Sequence, residues 1–318
     1  MLFISRFALI TSLAFLLMGS PALADSLGLP ANADTLKTVK LADNVYALVG
    51  PLGNRDKENL GNNCNFGIIV TRDGVILVDS GGSYKGAAEI HRNIQKITRQ
   101  PVKLVINTGG QDHKWLGNGY FKQRGEKIIA SNKAVTDQKT RFQSQYNMLS
   151  SLIGDKNLAG TEPVYADEKF DADMKLSLGG IDLELHHAGQ AHTPGDSFVW
   201  LPAQKIVFTG DIVYTERMLG ILSYSNSKSW LTAFNAIAAL KPRHVVPGHG
   251  SPTTLEKAMK DTYDYIVFLR SSITELIDSG IGIEKVGLLD QSQYSYLKNY
   301  DILKGRNAQR VYEEIEFE

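Results

Sequence analysis

Four stretches of this chain set a reactive side chain beside glycine, at the end of an apolar run or between two of them. The first is Asn107 to Asn118, Asn-Thr-Gly-Gly-Gln-Asp-His-Lys-Trp-Leu-Gly-Asn, whose reactive residues are Asp112, His113 and Lys114. The others are Ala191-His192-Thr193-Pro194-Gly195-Asp196, Phe208-Thr209-Gly210-Asp211 and Val245-Val246-Pro247-Gly248-His249-Gly250. Singly, each has a plain reading: a local hydrogen bond, a polar cap, a turn. Together, imidazoles and a carboxylate at successive strand ends are what a zinc or iron site needs, with glycine letting the backbone come close.

The elements that must position them follow from the apolar pattern. Asn44 to Gly50 reads as a short strand, after a linker rich in Leu, Ala, Asp and Thr, and polar residues 51–63 read as a loop. Phe66 to Thr71 and Val75 to Asp79 flank Arg72-Asp73-Gly74, a hairpin signal. Ala87, Ile90, Ile94 and Ile97 at helical spacing predict a helix from Tyr84 to Arg99. Val102 to Ile106 is the buried strand before the first reactive stretch, and Lys127 to Ala130 is the next strand. Ser131 to Leu152 has helical composition with Ser131 as its cap, and residues 153–165 read as a loop. Strands follow at Lys175 to Leu178, Ile181 to His187, Ser197 to Leu201 and Lys205 to Thr209, then a helix from Trp230 to Leu240 and a brief strand at His244 to Val246. From Thr254 to about Ser279 the chain reads as helical, and beyond that as polar and aromatic. Strands then helices, twice over, suggest two sheets each covered on one face.

The chain has 318 residues, 43% of them hydrophobic, with 34 basic and 34 acidic side chains, so it carries no basic footprint for nucleic acid. Arg6, the apolar run Phe7 to Met18 and Ala22-Leu23-Ala24 form the pattern of a secretory signal peptide over residues 1–24. The expected mature chain begins at Asp25, is periplasmic or secreted, is free of the membrane after cleavage, and has a net charge of 33 minus 34, or −1. Cys64, the only cysteine, cannot form an intramolecular disulfide and reads as a small core residue. His91, His186, His187 and His244 lie inside helix or strand patterns and read as structural.

The last three reactive stretches, with Val78-Asp79-Ser80-Gly81, match in order and spacing the motifs of the metallo-β-lactamase superfamily, which includes glyoxalase II-like hydrolases. The resemblance covers roughly residues 40–255. It implies the family's αββα sandwich over 25–255, with 256–318 as a C-terminal helical extension on the same domain. The tail Asn307-Ala-Gln-Arg-Val-Tyr312 resembles the periplasmic branch associated with quinoprotein relay or sulfur oxidation. The first stretch departs from the family, which writes Asn-Thr-His-x-His-x-Asp-His-x-x-Gly-Asn. Aligned without gaps, Asn107, Thr108, Gly117 and Asn118 match, and the four ligand positions hold Gly109, Gln111, His113 and Lys114. A slip of one residue would instead match Asp112-His113 to the family's Asp-His.

In the ungapped register the resemblance implies a metal held by His113, Asp211 and His249. His192 would complete the coordination or stand free, and Lys114 would disfavour a second cation. The expectation is one Zn²⁺ per chain, iron being the other candidate, and a metal-bound hydroxide that attacks an ester, thioester or amide in a small-molecule substrate. Asp211 would orient that hydroxide, Lys114 would stabilise the oxyanion, and Asp112 would shuttle a proton or fix the loop. The alternatives are a catalytically degenerate binding protein and an iron-dependent persulfide dioxygenase.

Overall fold

A computed structural model describes residues 35–318. The expected signal peptide and its cleavage point lie outside the described residues. Among the described residues no helix is long and apolar enough to cross a membrane.

The first sheet has seven strands in sequence order: β1 (Lys37–Ala42), β2 (Val45–Val49), β3 (Phe66–Thr71), β4 (Gly74–Val78), β5 (Val102–Asn107), β6 (Lys127–Ser131) and β7 (Glu168–Phe170). β1 to β4 pair antiparallel, and β4 to β7 parallel. The second sheet runs β12-β11-β10-β9-β8, from β8 (Asp173–Leu178), β9 (Ile181–His186), β10 (Phe198–Leu201), β11 (Ile206–Phe208) and β12 (His244–Val246). Among the described residues its only parallel pair is β11 with β12.

Alternation along the strands gives each sheet two apolar faces. Ile69, Ile76 and Ile106 of the first sheet meet Leu185, Val199 and Phe208 of the second in a buried seam. The outer face of the first sheet is covered by α1 (Tyr84–Ile97), whose Ala87, Ile90 and Ile94 pack on Ile68, Leu77 and Val105. Ser83 caps α1 by accepting from the Gly86 N–H. Next come the short α2 (Asp112–Trp115) and α3 (Asn118–Lys122), then the long α4 (Asn132–Ile153), capped by Ser131 as expected. On the outer face of the second sheet lie α5 (Ser227–Ala239), α6 (Asp264–Asp278) and α7 (Tyr300–Glu316). The layers are therefore helix, sheet, sheet, helix.

Several local expectations differ from the structure. The stretch read as a linker contains β1, an edge strand exposed or half-buried along its length, which therefore lacks an apolar run. The 153–165 loop contains a single helical turn, Asp155–Leu158. The polar, aromatic tail contains α7, which buries only Asn307, Ala308, Val311 and Tyr312, a stripe too narrow to register as periodic. The first reactive stretch is not all loop, because Asp112 to Trp115 form one turn of helix that turns consecutive side chains in different directions.

Candidate metal centre

Strand register brings two of the reactive residues together. In the parallel pair of β11 and β12, Phe208 lies opposite Val246. Asp211 and His249 each follow three residues later, so neighbouring strand ends deliver both to one edge. His113 arrives from the other sheet, on α2 just past β5. Backbone ties hold the two sheets at this edge: Ser197 N donates to Thr108 O, and Asn65 N to Gly248 O.

His113, Asp211 and His249 present ligand atoms that all lie within 4.8 Å of one another, and all three are buried. His113 Nε2 is 3.0 Å from Asp211 Oδ2, and His249 Nε2 is 3.6 Å from Asp211 Oδ1. The imidazoles stand nearly perpendicular, with ring centroids 5.2 Å apart. His249 Nδ1 donates to Asn63 O at 2.8 Å, which leaves its Nε2 with a lone pair toward Asp211. His113 faces Asp211, as the ungapped register requires. Asp112 is turned instead to Arg55, which grips both carboxylate oxygens at 2.6 and 2.9 Å.

His192 lies outside this group of three. Its Nδ1 donates to Gly220 O at 2.9 Å, and its ring packs against Tyr214 and Trp230. Lys114 Nζ stands 3.1 Å from Asp211 Oδ1 and 3.3 Å from Asp79 Oδ2, close ion pairs without hydrogen-bond alignment. Asp79 takes up a left-handed backbone, φ 64°, at the end of β4. Its carboxylate accepts from the Thr108 N–H and hydroxyl, which offsets that strain.

Burial dominates the electrostatics. It lowers the His113 and His249 imidazoles, His249 well below its usual range, and lowers His192 to about 4, so all three are neutral at pH 7. Burial would raise the Asp211 carboxyl, but Lys114 and His113 hold it well below the usual carboxylate range. Burial lifts Asp79 to about 6, against the pull of Lys114, and lifts Asp196 to about 8.

The donor set fits a divalent cation, and one orphaned atom argues for it. With His113 Nε2–H donating to Asp211, His113 Nδ1 is a buried acceptor without a partner, 3.3 Å from Asp112 Oδ1. Were His113 Nε2 and Asp211 to hold a cation, the ring proton would sit on Nδ1, which lies beside Asp112. That is the carboxylate–histidine–metal arrangement seen at protein metal sites.

On the other side of the loop the expected histidines are absent, and α4 fills the gap. Gln138 Nε2 donates to Gly109 O, Gln145 Nε2 donates to Gly110 O at 2.8 Å, and Gln145 Oε1 accepts from Trp115 Nε1 at 3.1 Å. A Cβ on Gly110 would meet Asp137 Oδ2 at 1.9 Å, and one on Gly109 would meet Asp196 Oδ1 at 2.5 Å. These glycines are needed for close packing, and neither adopts a positive φ. Gln111 Oε1 lies 3.4 Å from both Arg141 Nη1 and the Tyr224 hydroxyl. Sequence reasoning missed Arg55, Asp137, Arg141, Tyr224 and Arg217. The one signal available for them is the i, i+4 spacing of Asp137 and Arg141 on a helix.

The αββα sandwich with a buried cluster of potential metal ligands at the edge between its sheets is the architecture that sequence comparison also finds. Residues 60–249 match the sequence model of the metallo-β-lactamase superfamily, and the chain belongs to that family. It is 24% identical over 185 residues to a metallo-β-lactamase type 2 of Elizabethkingia meningoseptica, covering 57% of this chain and 66% of that protein. A metallo-β-lactamase type 2 of Bacteroides fragilis is 29% identical over 138 residues, covering 42% and 47%. A linear primary-alkylsulfatase of Pseudomonas is 18% identical over 297 residues, covering 77% and 54%. The chain thus spans between about half and two thirds of these relatives. The solved metallo-β-lactamase from Pontibacter korlensis has the same fold, with a TM-score of 0.56 at 24% identity, covering 70% of this chain and 95% of that one.

Proposed function

We propose that this chain is a hydrolase working with one zinc ion, held by His113, Asp211 and His249. The observation that carries the reading is the convergence of these three buried groups within 4.8 Å, two of them neutral imidazoles and one an ionised carboxylate. A divalent cation held there would supply a Lewis acid and lower the pKa of a bound water, the chemistry needed to hydrolyse an ester, thioester or amide. Asp211, kept ionised by Lys114 and His113, would orient that water by accepting a hydrogen bond from it. Asp112 has both oxygens engaged by Arg55, so its role is to position His113, and the shuttle reading is set aside. Lys114 balances Asp79 and Asp211, which spends its charge inside the site and keeps a second cation out. His192 stands beside the metal ligands as a hydrogen-bonding group.

The test is elemental analysis of protein purified without chelators. One equivalent of zinc, with hydrolysis that is lost on chelation and restored by zinc, is the expected result. Two equivalents would overturn the assignment of Lys114, iron would favour the oxygen-dependent alternative, and no metal would make the chain a degenerate binding protein. The same preparation tests export: the intact mass should begin at Asp25.

A further inference from the structure

The vacated half of the site contains a guanidinium with one edge left open. Arg141, on α4, donates from Nε to Asp137 Oδ1 at 2.6 Å and from Nη2 to Asp137 Oδ2. Its plane lies over the Tyr224 ring, 3.9 Å from the centroid. Those contacts use the Nε/Nη2 side of the fork and fix its orientation. The Nη1/Nη2 end keeps two parallel N–H donors, and among the described residues its one further hydrogen-bond acceptor is the neutral amide oxygen of Gln111 at 3.4 Å, the limit of hydrogen-bond length. Gln111 is the N-cap residue of α2, two residues before His113, so the open edge faces the ground between the missing histidines and the metal ligands. The side chain is 12% exposed, shielded enough for charge to matter and open enough to be reached.

The charge balance points the same way. Around the centre Arg55 pairs with Asp112, Arg141 with Asp137, and Lys114 with both Asp79 and Asp211, while Arg217 Nη1 lies 3.4 Å from His249 Nδ1. A divalent cation held there would add positive charge in a largely buried space. An anionic ligand would offset that charge, and Arg141 offers the fork geometry that receives an oxyanion through two parallel bonds.

We propose that Arg141, through its open Nη1/Nη2 edge beside Gln111, serves as an anion-recognising residue, so that the substrate carries an oxyanion group, such as a carboxylate or a sulfate, close to the bond that is cleaved. The word substrate rests on the hydrolase reading; the anion site does not. The experiment is an NMR titration of the full mature chain with acetate, sulfate and inorganic phosphate, metal-free and again zinc-loaded. In the metal-free protein at least one of the three should bind in the millimolar range, and Arg141→Gln should weaken that binding about tenfold or more. Arg141→Lys, which keeps the charge but loses the fork, should fall between. A preference for acetate would assign a carboxylate, and a preference for sulfate or phosphate a tetrahedral oxyanion.

Arg141→Gln strands a buried Asp137, so the charge-neutral double variant Arg141→Gln/Asp137→Asn carries the test should the single variant misfold. Anion binding that is equally tight in the wild type and these variants overturns the proposal, as does the absence of binding in the wild type. Zinc content, measured on the same samples, separates the two readings. Arg141-dependent anion binding in a protein that takes up no zinc would defeat the hydrolase reading and leave the anion site standing. Arg141-independent binding in a protein with one zinc would do the reverse.

Discussion

The two sides of the Gly109–Trp115 loop are held by different chemistry. On one side, His113, Asp211 and His249 turn toward one another and leave His113 Nδ1 and Asp211 Oδ1 without aligned partners. On the other, the loop's carbonyls are met by Gln138 and Gln145, and the Asp137–Arg141 pair packs against Gly110. The first side keeps polar groups without aligned partners and is in that sense unfinished. The second side is finished by side-chain amides and an ion pair. A helix that satisfies the backbone can hold such a loop in shape by itself, because what the loop requires is paired polar groups.

The sharpest way to break this contrast is to remove a ligand from each side. Asp211→Asn should lower zinc affinity more than about 100-fold, beyond what outer-shell changes produce, in a chelator-competition titration. Gln111→Ala should leave zinc affinity unchanged in the same assay, and a comparable loss there would place the metal on the wrong side. Gly110→Ala probes the finished side. Its Cβ would press on Asp137, costing up to about 3 kcal/mol in a denaturant titration while zinc content stays the same. A variant as stable as the wild type would show that α4 is free to move away. Arg55→Gln sharpens the unfinished side: Asp112 loses its clamp on His113, and zinc affinity should fall about 10- to 100-fold.

Smallest per unit step is a pH slope. Asp196 keeps its proton up to about pH 8 in the folded metal-free chain, whereas an unfolded aspartate loses it near 4. Between those values the folded state binds more protons, so stability falls as pH rises, by about 1.4 kcal/mol per unit at most. Asp196→Asn should flatten that part of the stability curve, measured with chelator present. An unchanged slope would show that Asp196 ionises in the fold.

What could be read from the sequence was the part with short-range grammar. Spacing from Asn107 to Asn118 narrowed the choice to two registers, and in the structure it is His113, not Asp112, that lies against Asp211. Strand ends before Gly210 and Gly248 were visible as apolar runs meeting glycine. Arg55 was not visible, because it reaches Asp112 across 57 residues from a loop without a motif. Arg141 was hidden differently. An Asp–Arg pair four apart on a helix ordinarily reads as a solvated face, and only the fold shows that this face is buried against Gly110 and Gln111.

Gln145 holds Gly110 and Trp115 at once, bracketing the stretch that carries His113, while one turn earlier on the same helix Arg141 presents its open edge. A ligand that pulled on α4 would therefore act on the backbone that carries His113, and an ion held by His113 would act back on α4. If both bind as proposed, the two events share one free-energy cycle. Whatever factor an anion imposed on zinc affinity, zinc would impose on anion affinity, so measuring either dependence would give the other.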